Sequence, residues 1–546
     1  MGQRPRPLMQ RRAFLGLPAA ALALGGCEQA ASIRGGFTGT NDQRGHALRD
    51  LSSMRQPPAP QVTHQAQVVI AGGGVAGLAA ARALRLRGID DFALLELEDG
   101  AGGNSRAGEV KGITCPLGAH YLPVPGDDAH EVQDLLEELG LRQRKAGRWV
   151  YDERHLCHSP QERLFFEGAW QEGLLPVHGV GPGTLAQYQR FAQRVAQLQQ
   201  QARFSMPAAR APFTPTHQAL DAVTFAHWLN TENLTDPHLR WYLDYCCRDD
   251  FGAGTATVSA WAGIHYFASR HGFHAPGDEA SESEGVLTWP EGNGWLTQRL
   301  AAPLGGRLHT GSTVLRIREL RHGVEVDALN HSTQTVERWQ AQQCIVALPV
   351  FIAARVVENP PAVLTAAAAR LRYAPWCVAN IHIDAPLQDH PGAAPAWDNV
   401  VYGETGGGLG YVDARHQTLD PRPGPTVLTY YQALGDLPNG RRQLLEQPWS
   451  HWRDQVLAAL SVPHPDLPER ATRMDITRYG HAMAVPVPGN LSKIMLQRPV
   501  DGRKQLSKQE FPAIHSGRLQ FAHADWSGYS VFEEAFTRGH AAGMGV

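Results

Sequence analysis

The stretch from Val68 to Glu98 constrains the fold more than any other part of the chain. A β-branched apolar run, Val68-Val69-Ile70, meets three glycines, Gly72, Gly74 and Gly77, in G-x-G-x-x-G spacing. An Ala/Leu-rich helical pattern follows, then a second apolar run, Phe92 to Leu95, ending at Glu96. In such a unit the first glycine permits a tight turn and the second lets backbone approach a pyrophosphate. The third lets the helix pack closely on the strand. The helix N-terminus offers free N–H groups and the positive end of its dipole to phosphates. Glu96 is placed to accept hydrogen bonds from a ribose 2′-hydroxyl and to repel a 2′-phosphate. One glycine triplet means little among 56 glycines. Strand, turn, helix, strand and terminal acid in that order predict a dinucleotide site.

The first residues speak of place rather than fold. Gln10-Arg11-Arg12-Ala13-Phe14-Leu15 resembles the twin-arginine export signal, and an Ala/Leu-rich segment follows from Leu15 to Gly26. That segment is too short to span a bilayer. It ends in Leu24-Gly25-Gly26-Cys27, which resembles the lipobox of bacterial lipoproteins. Residues 1–27 are therefore expected to be a signal, with a lipidated Cys27 contacting a membrane. The protein is expected to be periplasmic or membrane-anchored in a bacterium. A simple cleaved signal with an incidental cysteine is the alternative. Residues 28–65, rich in Gly, Gln, Ala and Pro, read as a linker.

Composition excludes some functions. A net charge of −3 without a basic block argues against nucleic acid as a partner. The other six cysteines form no C-x-x-C pair, and no metal is expected. His155-x-Cys157-His158 and His271-x-x-His274 lack further ligands nearby and read as ordinary histidines. Asp249-Asp250 reads as a helix end, although such a pair can also line a pocket for a cationic substrate.

Amphipathic patterning predicts a helix capped by Asp127-Asp128 with Val132, Leu135, Leu136 and Leu139 on its apolar face. Another helix is expected around Gln187 to Phe204. Dense aromatics from Leu220 to Arg270 predict a helical lobe with a large aromatic core. Strand character returns at Thr313 to Ile317, Gly323 to Asp327, Cys344 to Leu348, Val378 to Ile383 and Thr426 to Tyr431. The fold class is α/β (α+β two-lobed), with one Rossmann-like lobe built from separated segments. Residues 66–125, 285–350 and 486–546 are expected to bind the cofactor. Residues 126–284 and 351–485 would form a mixed sheet and helical substrate domain.

Several further motifs give the chain a family resemblance. Gly102-Gly103-Asn104-Ser105-Arg106, Pro116-Leu117-Gly118-Ala119-His120-Tyr121, Pro290-Glu291-Gly292-Asn293-Gly294-Trp295-Leu296, Thr313-Val314 and Ile345-Val346-Ala347-Leu348-Pro349 follow the glycine turn in order. Phe521-Ala522-His523-Ala524-Asp525-Trp526-Ser527-Gly528-Tyr529 comes near the end. This series resembles the flavin amine oxidase superfamily, which is related to phytoene desaturases and protoporphyrinogen oxidases. The resemblance implies FAD as cofactor, held by Gly72, Gly74, Gly77, Glu96, Gly103, Asn104, Arg106, Gly118, Ala119, His120, Val314, Asp525 and Ser530.

Departures from the pattern fall on the substrate side. A lysine that holds water near flavin N5 in the family is replaced by Arg355, which keeps charge but not the compact ammonium. Of the two aromatic rings that flank the amine, one falls on Tyr529 and the other on Ala482. His481 lies where some members attach flavin through cysteine, and a noncovalent flavin-edge contact is expected of it. The resemblance implies a small-molecule amine or polyamine substrate, with oxygen or a membrane quinone as acceptor. The expected catalytic residues are Arg355, Tyr529 and His481. A carbon–carbon desaturase or isomerase acting on an apolar compound is the alternative, and an electron-transfer flavoprotein a third reading.

Overall fold

The computed structural model describes residues 33–53, 59–270, 272–277, 285–420, 422–496, 511 and 513–546. The expected signal and Cys27 lie outside the described residues, as does His271. Two large sheets organise the chain. The first has six strands, in the order Leu308–His309, Phe92–Leu95, Val68–Ala71, Gln343–Val346, Leu519–Phe521 and Ile514–Ser516. All its pairings are parallel except the last. Val68–Ala71 and Phe92–Leu95 are buried along their whole length, as continuous apolar runs in a sheet covered on both faces should be. This sheet joins strands from the beginning, middle and end of the chain.

The second sheet has eight strands and belongs to the other lobe. Its centre is formed by the long antiparallel pair Arg372–Ile383 and Ala471–Val485, with Thr426–Ala433 on the other side of the former. Glu162–Phe166 and Ala169–Glu172 extend one edge, and Arg34–Thr38 closes the other by pairing in parallel with Ala471–Val485. A smaller sheet, Ser312–Leu320, Gly323–Asn330 and Thr335–Ala341, receives Val62–Gln65 as a parallel fourth strand. The expected 28–65 linker is therefore partly folded: besides the helix Asp42–Ser53, it supplies the two short strands Arg34–Thr38 and Val62–Gln65. Their polar, glycine-containing sequence hides this because main-chain pairing holds them, and main-chain bonds leave no hydrophobic periodicity.

The aromatic region forms helices Phe225–Thr231, Pro237–Phe251 and Ala260–Ala268, packed with Pro182–Gln201. Phe191, Phe225, Trp228, Phe251, Trp261 and Phe267 share one core. Asp236 starts the helix Pro237–Phe251 by accepting from the His238 and Leu239 N–H groups, both at 3.0 Å. The helix expected after Asp127-Asp128 runs from His130 to Glu138 with no side-chain cap. Asp128 is instead drawn into an ion pair with Arg203.

The C-terminal helix, Phe532–Met544, lies along the glycine-turn helix, Val75–Leu86. A Cβ added to Gly539 would collide with the Ala76 carbonyl, and one added to Gly543 with the Ala80 carbonyl. Only backbone and alanine methyls fit between these helices. Just before the contact, the fully buried Glu534 gathers three donors: Tyr529 Oη at 2.7 Å, Ser527 Oγ at 2.5 Å and the Ala208 N–H at 2.6 Å. It ties the final helix to the substrate lobe. A Gly539→Val substitution is expected to destabilise the protein by about 1–3 kcal/mol or more, as overpacking does. Equilibrium urea unfolding checks this, with Ala535→Val, at a partly buried position, as the milder control.

Candidate active site

A cleft of about 500 Å³ opens between the two lobes. One part is built by the glycine turn. Gly72 has φ +103°, a conformation that the tight turn requires, and a Cβ on Gly77 would strike the Gly72 carbonyl. Gly72 and Gly74 line the cleft, whereas Gly77 lies behind it and lets helix meet strand. Glu96 lines it too, accepting from the Gly73 N–H at 2.7 Å and the Glu98 N–H at 2.8 Å. Burial raises its pKa, and those two N–H groups and Arg106 oppose the rise.

Gly102 and Gly103 come up opposite Gly74, where a Cβ on Gly103 would close against the Gly74 Cα. Gly103, Asn104 and Val314 line the cleft. Arg106 is corrected: it does not reach the lining. Its Nε donates to the Gly103 carbonyl at 3.0 Å and its Nη1 lies 3.7 Å from Glu98, so it props the turn from behind. Bare backbone on both walls, a helix N-terminus and a buried acid suit the pyrophosphate and ribose of a dinucleotide.

Gly118, Ala119 and His120 continue the wall. The Ala119 N–H donates to the Asn104 carbonyl at 2.8 Å, and Tyr431 donates to the Gly118 carbonyl at 3.0 Å. His120 stacks on Tyr431 with centroids 4.3 Å apart, and burial pushes its pKa down to about 3, leaving a neutral ring. From the C-terminal motif, Asp525 and Ser530 both line the cleft. Asp525 accepts from the Val350 N–H at 2.9 Å and Tyr373 Oη at 2.6 Å, and lies 3.1 Å from His523. Burial alone would raise its pKa. The His523 charge and the bonds from His523, Tyr373 and Val350 outweigh burial and hold it below the usual range.

The three expected catalytic residues part company. His481 lines the cleft mouth and stacks on Phe351 at 4.5 Å. Crowding by surrounding protein, then the charges of Arg441, His46 and Arg355, push its imidazole down to about 4. Arg355 is corrected: it is exposed and absent from the lining, one turn beyond Ile352 on the helix Val350–Val356. Tyr529 is corrected as well. It is 0% exposed, donates to Glu534, sits 3.1 Å from His265 Nε2 and packs edge-on against Phe251 and Trp261. The left-handed turn at Gly528, φ +83°, precedes it, and the chain then brings Ser530 to Phe532 back to the lining. Tyr529 is a core residue, not a substrate-facing ring.

Further lining residues join the motif residues Tyr121 and Asn293 to side chains from other parts of the chain. Asp249, Asp250, Arg270, Tyr121, Asn293 and Glu533 converge on the cleft with Trp376 and Tyr431. Tyr121 Oη donates to Asp249 at 3.2 Å, and Arg270 Nη2 lies 3.3 Å from both oxygens of Asp250. Asn293 Nδ2 donates to the Tyr121 carbonyl at 2.9 Å, while its buried Oδ1 finds no partner among the described residues. Burial, with the neighbouring Asp250 charge, pushes Asp249 up to about 7. Burial pushes Glu533 up to about 7 as well. Burial disfavours the Arg270 cation, but Asp250, Tyr266, Tyr121 and Glu533 together outweigh it and its pKa rises. The adjacent pair Asp249-Asp250 was the available signal. On a helix, however, a carboxylate pair reads equally well as a solvated end.

A raised carboxylate pKa has a defined effect on stability. Asp249 titrates near 3.8 when unfolded and near 7 when folded, so the native state holds the extra proton between those values. Its contribution is therefore lost as pH rises from about 4 to about 7. Asp249→Asn should raise the melting temperature of the flavin-free protein by about 1 °C or more at pH 8. The gain should vanish near pH 4, which melting curves across that range will check.

Comparison with known proteins agrees with this geometry. A family model described as flavin containing amine oxidoreductase matches residues 75–542. An L-amino acid dehydrogenase of Synechocystis sp. is 32% identical over 148 residues, which cover 27% of this chain and 29% of that protein. Putrescine oxidase bound to putrescine shares the fold with a TM-score of 0.64 at 18% identity, covering 88% of this chain and 99% of that one. A fatty acid isomerase from P. acnes shares it with a TM-score of 0.57 at 14% identity, covering 87% and 97%. The chain belongs to the family of flavin containing amine oxidoreductases and is an FAD-dependent enzyme.

Proposed function

We propose that this oxidoreductase acts on a cationic amine or polyamine. It would remove a hydride from the carbon bonded to nitrogen and leave an imine that water hydrolyses. The observation that carries this reading is Asp249, a carboxylate on the cleft wall oriented by Tyr121 and titrating near neutrality. Such a group can hold an ammonium and take its proton, as an amine must lose charge before giving up a hydride. The unpartnered Oδ1 of Asn293 offers a second acceptor for an N–H donor. The neutral His120 on Tyr431, with Trp376, gives an apolar wall that excludes water without repelling a cation. Bound FAD supplies the hydride acceptor, and oxygen or a quinone would reoxidise it.

His481, at the mouth, is assigned a noncovalent contact with the flavin edge. Export and a lipidated Cys27 belong to the same proposal, which puts the enzyme outside the cytoplasm on a membrane. Cys27→Ser should then shift the protein from the membrane pellet to the soluble periplasmic fraction.

A carbon–carbon desaturase or isomerase of an apolar substrate is the second reading. It is favoured by one observation: Tyr529 lies outside the cleft and Ala482 lines it, so those two positions make no pair of rings for an amine. Anaerobic mixing of the holoprotein with primary amines, diamines and amino acids separates the readings. Bleaching of the flavin by an amine is expected, and Asp249→Asn should raise KM about 30-fold or more while changing kcat less. If no amine reduces the flavin but a lipid extract does, the second reading replaces the first.

A further inference from the structure

The segment Arg34 to Ser53 crosses from one lobe to the other over the cofactor cleft. Its strand, Arg34–Thr38, is fixed to the substrate lobe by parallel pairing from Arg34↔Arg473 to Thr38↔Thr477. Phe37 lies under the Arg478 guanidinium at 3.8 Å, and Thr40 Oγ1 donates to the Arg478 carbonyl at 3.0 Å. Its helix, Asp42–Ser53, is fixed to the nucleotide lobe. The Asn41 N–H donates to Glu98 at 3.0 Å, and Arg44 Nη1 reaches the Leu97 carbonyl at 2.9 Å and Asp99 at 2.7 Å. Residues 97–99 directly follow Glu96, the acid at the ribose position of the glycine-turn unit.

The helix does more than connect. Gly45 and Leu48 line the cleft itself, and Leu48, 7% exposed, joins the same hydrophobic cluster as Val314. A Cβ on Gly45 would meet nothing within 4 Å, so there is open space at this position.

We propose that residues 34–53 form the outer wall of the FAD site at its adenosine end, and that FAD leaves only when this strap lifts. Gly45 and Leu48 would cover the bound nucleotide, while the Arg44–Asp99 pair and the Arg34–Thr38 strand hold the cover down. The ligand class is the adenosine half of a dinucleotide, and the inference rests on FAD occupying the cleft, not on the substrate proposed above. Such a cover would retain a cofactor that could not be replaced outside the cytoplasm, where the proposed export would put the enzyme.

The test is the rate of FAD release from purified full-length holoprotein, followed by the rise of free-flavin fluorescence after dilution. Leu48→Asp and Arg44→Ala should each speed release about tenfold or more. The melting temperature of flavin-free Arg44→Ala should stay close to that of the flavin-free wild type, which separates an opened cover from a damaged fold, whereas Leu48→Asp also loses burial in its hydrophobic cluster and should melt lower. Release within twofold of wild type for both variants overturns the proposal. Because no substrate enters the measurement, that outcome would leave the amine reading standing, and failure of the amine screen would leave the strap standing.

Discussion

The backbone-to-backbone approach of the last helix to the glycine-turn helix is the constraint on which the rest depends. Gly539 and Gly543 lie against the Ala76 and Ala80 carbonyls, a separation that no larger side chain allows. That contact brings the end of the chain to its beginning and carries Asp525, Ser530 and Glu533 into the cleft lining. Asp525 then fastens Val350 and Tyr373, which belong to two other segments. The dinucleotide cradle is thus a closure device as much as a binding site.

The cleft divides electrostatically. Around the glycine turns, its polar character comes from backbone N–H groups and a helix dipole, which favour anions. Around Tyr121 and Asn293, it comes from Asp249 and Glu533, which burial keeps near their titration point, and from the Asp250–Arg270 ion pair. Phosphate at one part and an ammonium at the other would each meet a complementary field. The buried Tyr529–Glu534–Ser527 cluster plays no direct part in this; it holds the wall in place.

Much of this was legible in sequence because it is written in local order. The glycine unit, Glu96 and the apolar strands carry short-range patterns, and all appear where those patterns put them. Motif order also placed His120, Asn104 and Asp525 beside the cleft. It failed for Tyr529 and Arg355, because a motif gives backbone register whereas a turn, or the position around a helix, decides where the side chain points. Asp249 and Arg270 are separated from the glycine turn by well over a hundred residues, and only packing of the aromatic helices brings them in. Arg34 to Ser53 was read as tether for a related reason. Its hold comes from ladder hydrogen bonds and a few ion pairs, which composition does not record.

The docking of Arg34–Thr38 has one more consequence. Of the fifteen-residue strand Ala471–Val485, the stretch Arg473–Thr477 pairs with Arg34–Thr38, and without that neighbour the N–H and C=O groups along that part of the edge would be unpaired. Such an edge invites strand addition from another chain. The short strand Arg-Gly-Gly-Phe-Thr, with two glycines and an arginine, occupies that edge and is itself a poor template for further pairing. The segment therefore also shields that part of the edge, which would otherwise be open to strand addition from another copy.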